Sequence, residues 1–249
     1  IEYREKKSKS IFVKFPILKF SDKNFKNSSI VIWTTTPWTI PGNQAVAYSE
    51  NIQYVLIMIK KDYPELNLLK NEKLIFSKKL VDQAFGEINI KSYEVLNTLN
   101  SASLEDIICK HPLNKLGYDY KVPLIPGDHV TNENGSGFVH IAPGHGVEDF
   151  DLGQKFNLSI PKTIKNNGLF NEDIPLFNNI HVYKADEVVI NKLSENKNLI
   201  KASDFFHSYP HSWRSKAPLI YRTTSQWFIS MDKNCLRDTA MREIEKVKW

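Results

Sequence analysis

Alternation of apolar and polar positions marks much of the chain. Runs of this kind, short and rich in Ile, Val, Phe, Tyr and Thr, predict strands over residues 11–18, 29–36, 45–48, 54–59, 88–95 and 137–141. Turn-forming clusters separate them, among them Asp62-Tyr63-Pro64, Leu99-Asn100-Ser101-Ala102-Ser103 and Asn132-Glu133-Asn134-Gly135. Spacing of three and four replaces the alternation at residues 148–156, 185–196 and 233–246, with a shorter piece at 79–85, and predicts helices there. From about Ser203 onward Tyr, Trp and His accumulate, and the segment reads as a strand followed by a helix. There is no internal repeat. The pattern predicts an α+β, β-rich fold with a β-barrel-like core and peripheral helices.

Composition narrows this only a little. With 249 residues and 41% apolar content the chain can bury a substantial core, as one large domain or two small ones. Thirty-three Lys and Arg against 28 Asp and Glu give a net charge of +5, a mildly basic surface that suits contact with RNA but falls far short of a histone-like excess. Cys109 and Cys235 stand far apart, so neither a disulfide framework nor a zinc-thiolate site is encoded, and a reducing, cytoplasmic setting is the simplest fit. No apolar run approaches the ~18 residues of a membrane span. The tracts Lys165-Asn166-Asn167 and Ser194-Glu195-Asn196-Lys197-Asn198 read as solvated loops and helix ends.

Two segments concentrate chemistry. Trp33-Thr34-Thr35-Thr36-Pro37-Trp38-Thr39-Ile40-Pro41-Gly42-Asn43 brings four hydroxyls and two indoles together at the end of a strand, where side chains alternate between faces and proline stops the ladder. Such a surface suits a polar small molecule or the edge of a nucleotide; the bland alternative is an edge strand whose threonines serve β propensity alone. In Gly135-Ser136-Gly137-Phe138-Val139-His140-Ile141-Ala142-Pro143-Gly144-His145-Gly146-Val147-Glu148-Asp149-Phe150 a strand runs into a glycine-rich turn and a helix start. Loop-borne sites are built in this way, although Glu148 and Asp149 could equally be helix-capping acids. His140, His145, Glu148 and Asp149 could be drawn as a metal cluster, but their spacing fits no zinc pattern, and none is expected.

In order and spacing these segments, with Ser10-Ile11-Phe12-Val13-Lys14-Phe15-Pro16, His207-Ser208-Tyr209-Pro210-His211-Ser212-Trp213-Arg214 and Gln226-Trp227-Phe228-Ile229-Ser230-Met231-Asp232, resemble the editing domain of class I aminoacyl-tRNA synthetases in its isoleucyl form. Leucyl and valyl relatives usually carry an arginine in the threonine peptide. The resemblance implies that residues 1–249 are one editing domain, excised from a longer chain and expected to be monomeric. Residues 203–249 would return toward the catalytic domain that partners it. Lys6-Lys7-Ser8-Lys9-Ser10 looks like the Lys-Met-Ser-Lys-Ser loop of that catalytic domain, yet alternating Ile11, Val13 and Phe15 follow at once, so no amino-acid activation is expected. ATP and magnesium would belong to the full-length enzyme alone. A zinc-binding cysteine pair common in the family is replaced by Ser212 and Ser215, which argues against a structural zinc.

The chemistry implied is hydrolysis of the ester that links a wrong amino acid to the 3′ adenosine of the isoleucine tRNA. One methylene separates valine from isoleucine, and a hydrophobic pocket extracts only ~1–3 kcal/mol from it; this amino-acid pair is itself the standard illustration of that limit. The resemblance gives Asp149 the substrate's α-ammonium group and makes His140 a pocket wall that excludes the cognate side chain. Thr34, Thr35 and Thr36 would hydrogen-bond the ester, the ribose and the attacking water. Trp33, Trp38 and Asn43 would line the pocket, Tyr209 would help close it, and backbone N–H groups from Gly144 to Gly146 are candidate oxyanion donors. A non-catalytic RNA-binding module that guides the tRNA end is the competing reading.

Overall fold

A computed structural model of the chain describes residues 1–248. In chain order its elements are β1 (Glu2–Lys19), β2 (Ser28–Thr34), β3 (Ala45–Tyr48), β4 (Tyr54–Ile59), β5 (Lys73–Ser77), α1 (Val81–Ile88), β6 (Tyr93–Leu99), β7 (Ile108–Lys110), β8 (Lys121–Pro126), β9 (Val139–Ile141), α2 (Val147–Lys155), α3 (Val182–Glu195), β10 (Leu199–His211) and α4 (Leu236–Glu245). The strands follow the order β6-β4-β5-β2-β1-β7-β8-β3-β9, and β10 pairs with the outer part of β1. Pairs β2/β5 and β3/β8 are parallel and the rest antiparallel. The fold is thus α+β and sheet-dominated, as expected. The sheet curls but does not close into a barrel: β9 comes back against β2 without a hydrogen-bonded ladder between them.

The inner half of β1 explains why the sheet is buried on both faces. Ile11, Val13 and Phe15 enter the main core with Ile30, Ile32, Tyr54 and Ile75, while Phe12 enters a second core with Val31, Val55, Leu74 and Phe76. Helix α1 roofs the second core through Val81, Ala84, Phe85 and Ile88, whose spacing is one helical face. Each fully buried side chain of this size contributes about 1.5–3 kcal/mol.

Several boundaries differ from those the pattern predicts. Ile88 does not open a strand but closes α1, with left-handed Asn89 (φ 72°) capping it, and β6 begins only at Tyr93. Strand β1 starts at Glu2, nine residues before the first apolar alternation; its charged half is held by the β10 ladder, with Glu2 opposite His211. The threonine strand stops at Thr34, two residues early, and α4 starts at Leu236 after a turn with left-handed Asn234 and Cys235. No helix is long and apolar enough to cross a membrane among the described residues.

Candidate active site

Strand β2 ends at Thr34, and Pro37 then opens a 3-10 turn that runs to Gly42. Proline suits that position because the first N–H of a helical turn has no partner to lose. The turn folds the threonines onto one another. Thr34 Oγ1 accepts the Thr36 N–H at 3.1 Å and lies 3.2 Å from Thr36 Oγ1. Thr39 Oγ1 donates to the Thr36 carbonyl at 2.8 Å and lies 2.9 Å from His140 Nε2. A hydroxyl has one proton, and Thr36 O takes it; His140 Nε2 therefore carries a hydrogen and donates to Thr39. That leaves Nδ1 bare, and it is buried without a partner. Burial, with His145 adding to it, pushes His140 down to about 4, so the ring is neutral at physiological pH. Residues 101 positions apart are joined in this way because β9 pairs with β3, setting His140 opposite Val46.

The threonine peptide stands between two cavities. A larger one, about 720 Å³, is lined by Thr35, Thr36, Trp38, Tyr209, Lys6 and Asp186 among others. A smaller one, about 340 Å³, has Trp33, Thr34, Thr35, His129, Gly135 and Phe138 in its walls. Thr35 belongs to both. Trp33 packs edge-on against Phe205 at 5.2 Å, and its Nε1 is buried without a partner, as is His129 Nε2. Gly135 (φ +83°) is required beside it, since a Cβ there would lie 2.9 Å from Trp33 Cβ. Tyr209 donates its hydroxyl to the Leu219 carbonyl at 2.8 Å, the Lys6 ammonium lies 4.0 Å from its ring centre, and burial raises the phenol to about 12.

Asp186 and Thr39 also hold the threonine turn in place. Asp186 Oδ1 accepts the Trp38 N–H at 3.1 Å, so α3 pins the turn just behind the threonines. Burial raises its carboxyl to about 6, against the opposing pull of that N–H and of Lys6. In the sequence Asp186 looks like one more polar position on an amphipathic helix; Thr39 stands in the hydroxyl-rich motif itself, which was its signal.

Asp149 occupies the first turn of α2, where Oδ2 accepts the Ala142 N–H at 2.8 Å and ties the glycine-rich turn to the helix. Burial pushes its carboxyl up to about 6, against the lowering effect of that N–H and of His129, while Glu148 raises it further. It lines neither cavity around the threonines. Gly144 is packed so closely that a Cβ would sit 2.9 Å from the Pro161 carbonyl oxygen. Of the N–H groups from Gly144 to Gly146, that of His145 is already given to the Ala142 carbonyl at 2.8 Å. Its ring donates from Nδ1 to the Tyr221 carbonyl at 3.0 Å and packs edge-on against Trp38 at 4.9 Å, which binds the chain after β10 to the threonine turn. Asn43 is fully buried beneath the turn, with Nδ2 donating to the Ala45 carbonyl at 2.8 Å and Oδ1 unpartnered. It lies outside both cavities. Among the described residues no group of three His, Cys, Asp or Glu side chains is placed to hold a metal ion.

No family model matches the chain. It is 41% identical to the isoleucine–tRNA ligase of Pelagibacter ubique over 249 residues, covering 100% of this chain and 27% of the relative. Identity is 44% to that of Vesicomyosocius okutanii, with 100% of this chain and 25% of the relative covered, and 42% to that of Idiomarina loihiensis, at 100% and 27%. A solved structure described as GlLeuRS-CP1 superposes with a TM-score of 0.59 at 13% identity, covering 78% of this chain and 98% of that one, and shares the fold. The chain spans about a quarter of the length of the curated relatives it matches. Over its whole length, the chain is homologous to an internal segment of isoleucine–tRNA ligases.

Proposed function

We propose that this domain edits misacylated tRNA, hydrolysing valyl-tRNA(Ile) and sparing isoleucyl-tRNA(Ile). The observation that carries the reading is the wall of Thr34, Thr35 and Thr36 between two cavities, hydrogen-bonded behind through Thr39 to neutral His140. An aminoacyl ester has a nucleoside on one side of the reacting carbonyl and an amino acid on the other, and a hydroxyl-bearing wall between two cavities suits such a molecule. Thr35 and Thr36 would hold the ester, the ribose and the attacking water. The resemblance gives His140 the role of bounding the amino-acid side chain and Asp149, ionised above about pH 6, that of taking the α-ammonium group, although in this structure both stand outside the linings of the two cavities. With its pKa near 4 and Nε2 already donating, His140 makes a poor general base. The ester is intrinsically reactive, so positioning the water, with help from the vicinal ribose hydroxyl, and stabilising the oxyanion would supply the rate.

On this reading the partners are the tRNA 3′ end and the catalytic part of the same enzyme, in the cytoplasm, and hydrolysis draws on no cofactor. Deacylation of both esters by the chain and by Asp149→Ala tests it. Loss of valine with isoleucine spared, abolished in the variant, is the expected result. Binding of the tRNA without turnover would replace this function with that of a guiding module.

A further inference from the structure

Lys14 is the one Lys, Arg, Asp or Glu that is buried among the described residues, at 5% exposure. It stands on β1 between Val13 and Phe15, both fully buried, and its ammonium has three hydrogens to place. One goes to Glu72 Oε1 at 2.6 Å and one to the Asn67 carbonyl at 2.7 Å. Glu72 is itself engaged on its other side, Oε2 accepting the Leu69 N–H at 3.1 Å. The third Lys14 hydrogen has no acceptor among the described residues.

A cavity of about 720 Å³ adjoins Lys14, walled also by Asn27, Lys70, Asn71 and Lys197. It shares no lining residue with the two cavities at the threonines. Its charge is lopsided, because Lys70 and Lys197 add to Lys14 while Glu72, the single acid in the wall, is already paired. The carboxamides of Asn27 and Asn71 make no hydrogen bond to any described residue, so their Nδ2 hydrogens can be offered to a ligand. Pro64 and Leu69 add apolar surface to the same wall. Buried ion pairs are costly to desolvate, and well-packed apolar residues of similar volume often replace them at no loss of stability.

We propose that this cavity binds a phosphate group, borne by a nucleotide or by an RNA backbone. The remaining Lys14 hydrogen and the Asn27 and Asn71 amides would donate to its oxygens, with Lys70 and Lys197 supplying the counter-charge and Pro64 and Leu69 a bed for the attached nucleoside. The site is independent of the threonine site, and none of the readouts below needs deacylation.

The test is thermal denaturation and calorimetric titration of the intact chain with inorganic phosphate and with AMP, at ionic strength held constant with chloride. Saturable binding and a raised Tm are expected, with Kd weakened at least tenfold in Lys70→Gln/Lys197→Gln, whose side chains are exposed and whose fold should be intact. Lys14→Met should abolish binding, and since it also perturbs stability the exposed pair serves as the decisive variant. AMP binding more tightly than phosphate assigns a nucleotide; displacement of a labelled RNA hairpin by phosphate in the parent, but not in the double variant, assigns the backbone. No response beyond chloride, or a response unchanged in the double variant, overturns the proposal.

Discussion

Replacing Asp149 by Asn should make the protein more stable at neutral pH and leave it unchanged in acid. Burial lifts the carboxyl from 3.8 to about 6, so folding favours its protonated form. A folded-state pKa raised above the unfolded one contributes stability that is complete below the unfolded pKa and is lost as the pH climbs through about 6. The shift is roughly two units, or about 3 kcal/mol at ~1.4 kcal/mol per unit, and because the group is only partly buried, screening by solvent reduces this to ~1–2 kcal/mol. Asn removes the charge and keeps an oxygen for the Ala142 N–H, so the variant should gain that amount above about pH 7 and nothing below about pH 4. Urea unfolding across this range, with the m-value unchanged, measures it directly. A variant less stable than the parent at neutral pH, or a difference that does not vary with pH, would refute the reasoning. The same linkage gives a signature of ligand binding: an ammonium group seated on Asp149 pulls its pKa down, so near pH 6 binding should release protons, and Asp149→Asn should not.

Thr39→Val keeps the side-chain shape but leaves the Thr36 carbonyl and His140 Nε2–H without their partner, and should lower stability by ~1–3 kcal/mol; an unchanged Tm would mean that the hydroxyl run is not formed. Two glycines should respond oppositely to Ala in urea unfolding. Gly137 has φ +83° and a Cβ there would overlap that of Ser77, so Gly137→Ala should cost more than ~2 kcal/mol, whereas Gly86 lies in α1 with nothing within 4 Å and Gly86→Ala should add ~0.5–1 kcal/mol.

What the sequence disclosed followed from where alternation survives. Strand β3 is read residue for residue from its short apolar run bounded by turns, although all four of its residues are buried, and α2 to within one, because its two faces differ. Strand β5 escaped because Leu74, Ile75 and Phe76 are all buried, two in one core and one in the other, which erases the period of two. The outer half of β1 escaped for the opposite reason: both faces are polar, and only its partner β10 makes it a strand. At the site, local chemistry exposed the threonines, but their closeness to His140 depends on the β3/β9 pairing, which no local pattern encodes. The family resemblance pairs the threonine segment with that of His140. It does not point to Asp186, whose part is to hold the Trp38 backbone, a role that leaves no side-chain signature.

The wall of the larger cavity is unevenly supported, and this bears on how the site behaves. One side is the sheet and α3, rooted in the main core through Val182, Ala185 and Val189. Another part of the wall includes Pro218 and Ile220, from the segment after β10, which is held by Ile220 packing on the main core and by scattered hydrogen bonds: Leu219 N–H to the Pro210 carbonyl at 2.9 Å, Tyr183 to that of Pro218 at 2.6 Å, Tyr209 to that of Leu219 at 2.8 Å, His145 Nδ1 to that of Tyr221 at 3.0 Å and Thr223 N–H to that of Gly144 at 3.1 Å. Beyond it Trp227 and Phe228 are 100% and 86% exposed, and α4 buries no residue. A helix of ten residues is marginal in water without a surface to pack on. Since local opening is easiest where buried apolar contacts are fewest, the larger cavity should widen by movement of this segment before the threonine wall yields. The hydroxyls, His140 and Asp186 then stay in register while the space in front of them changes.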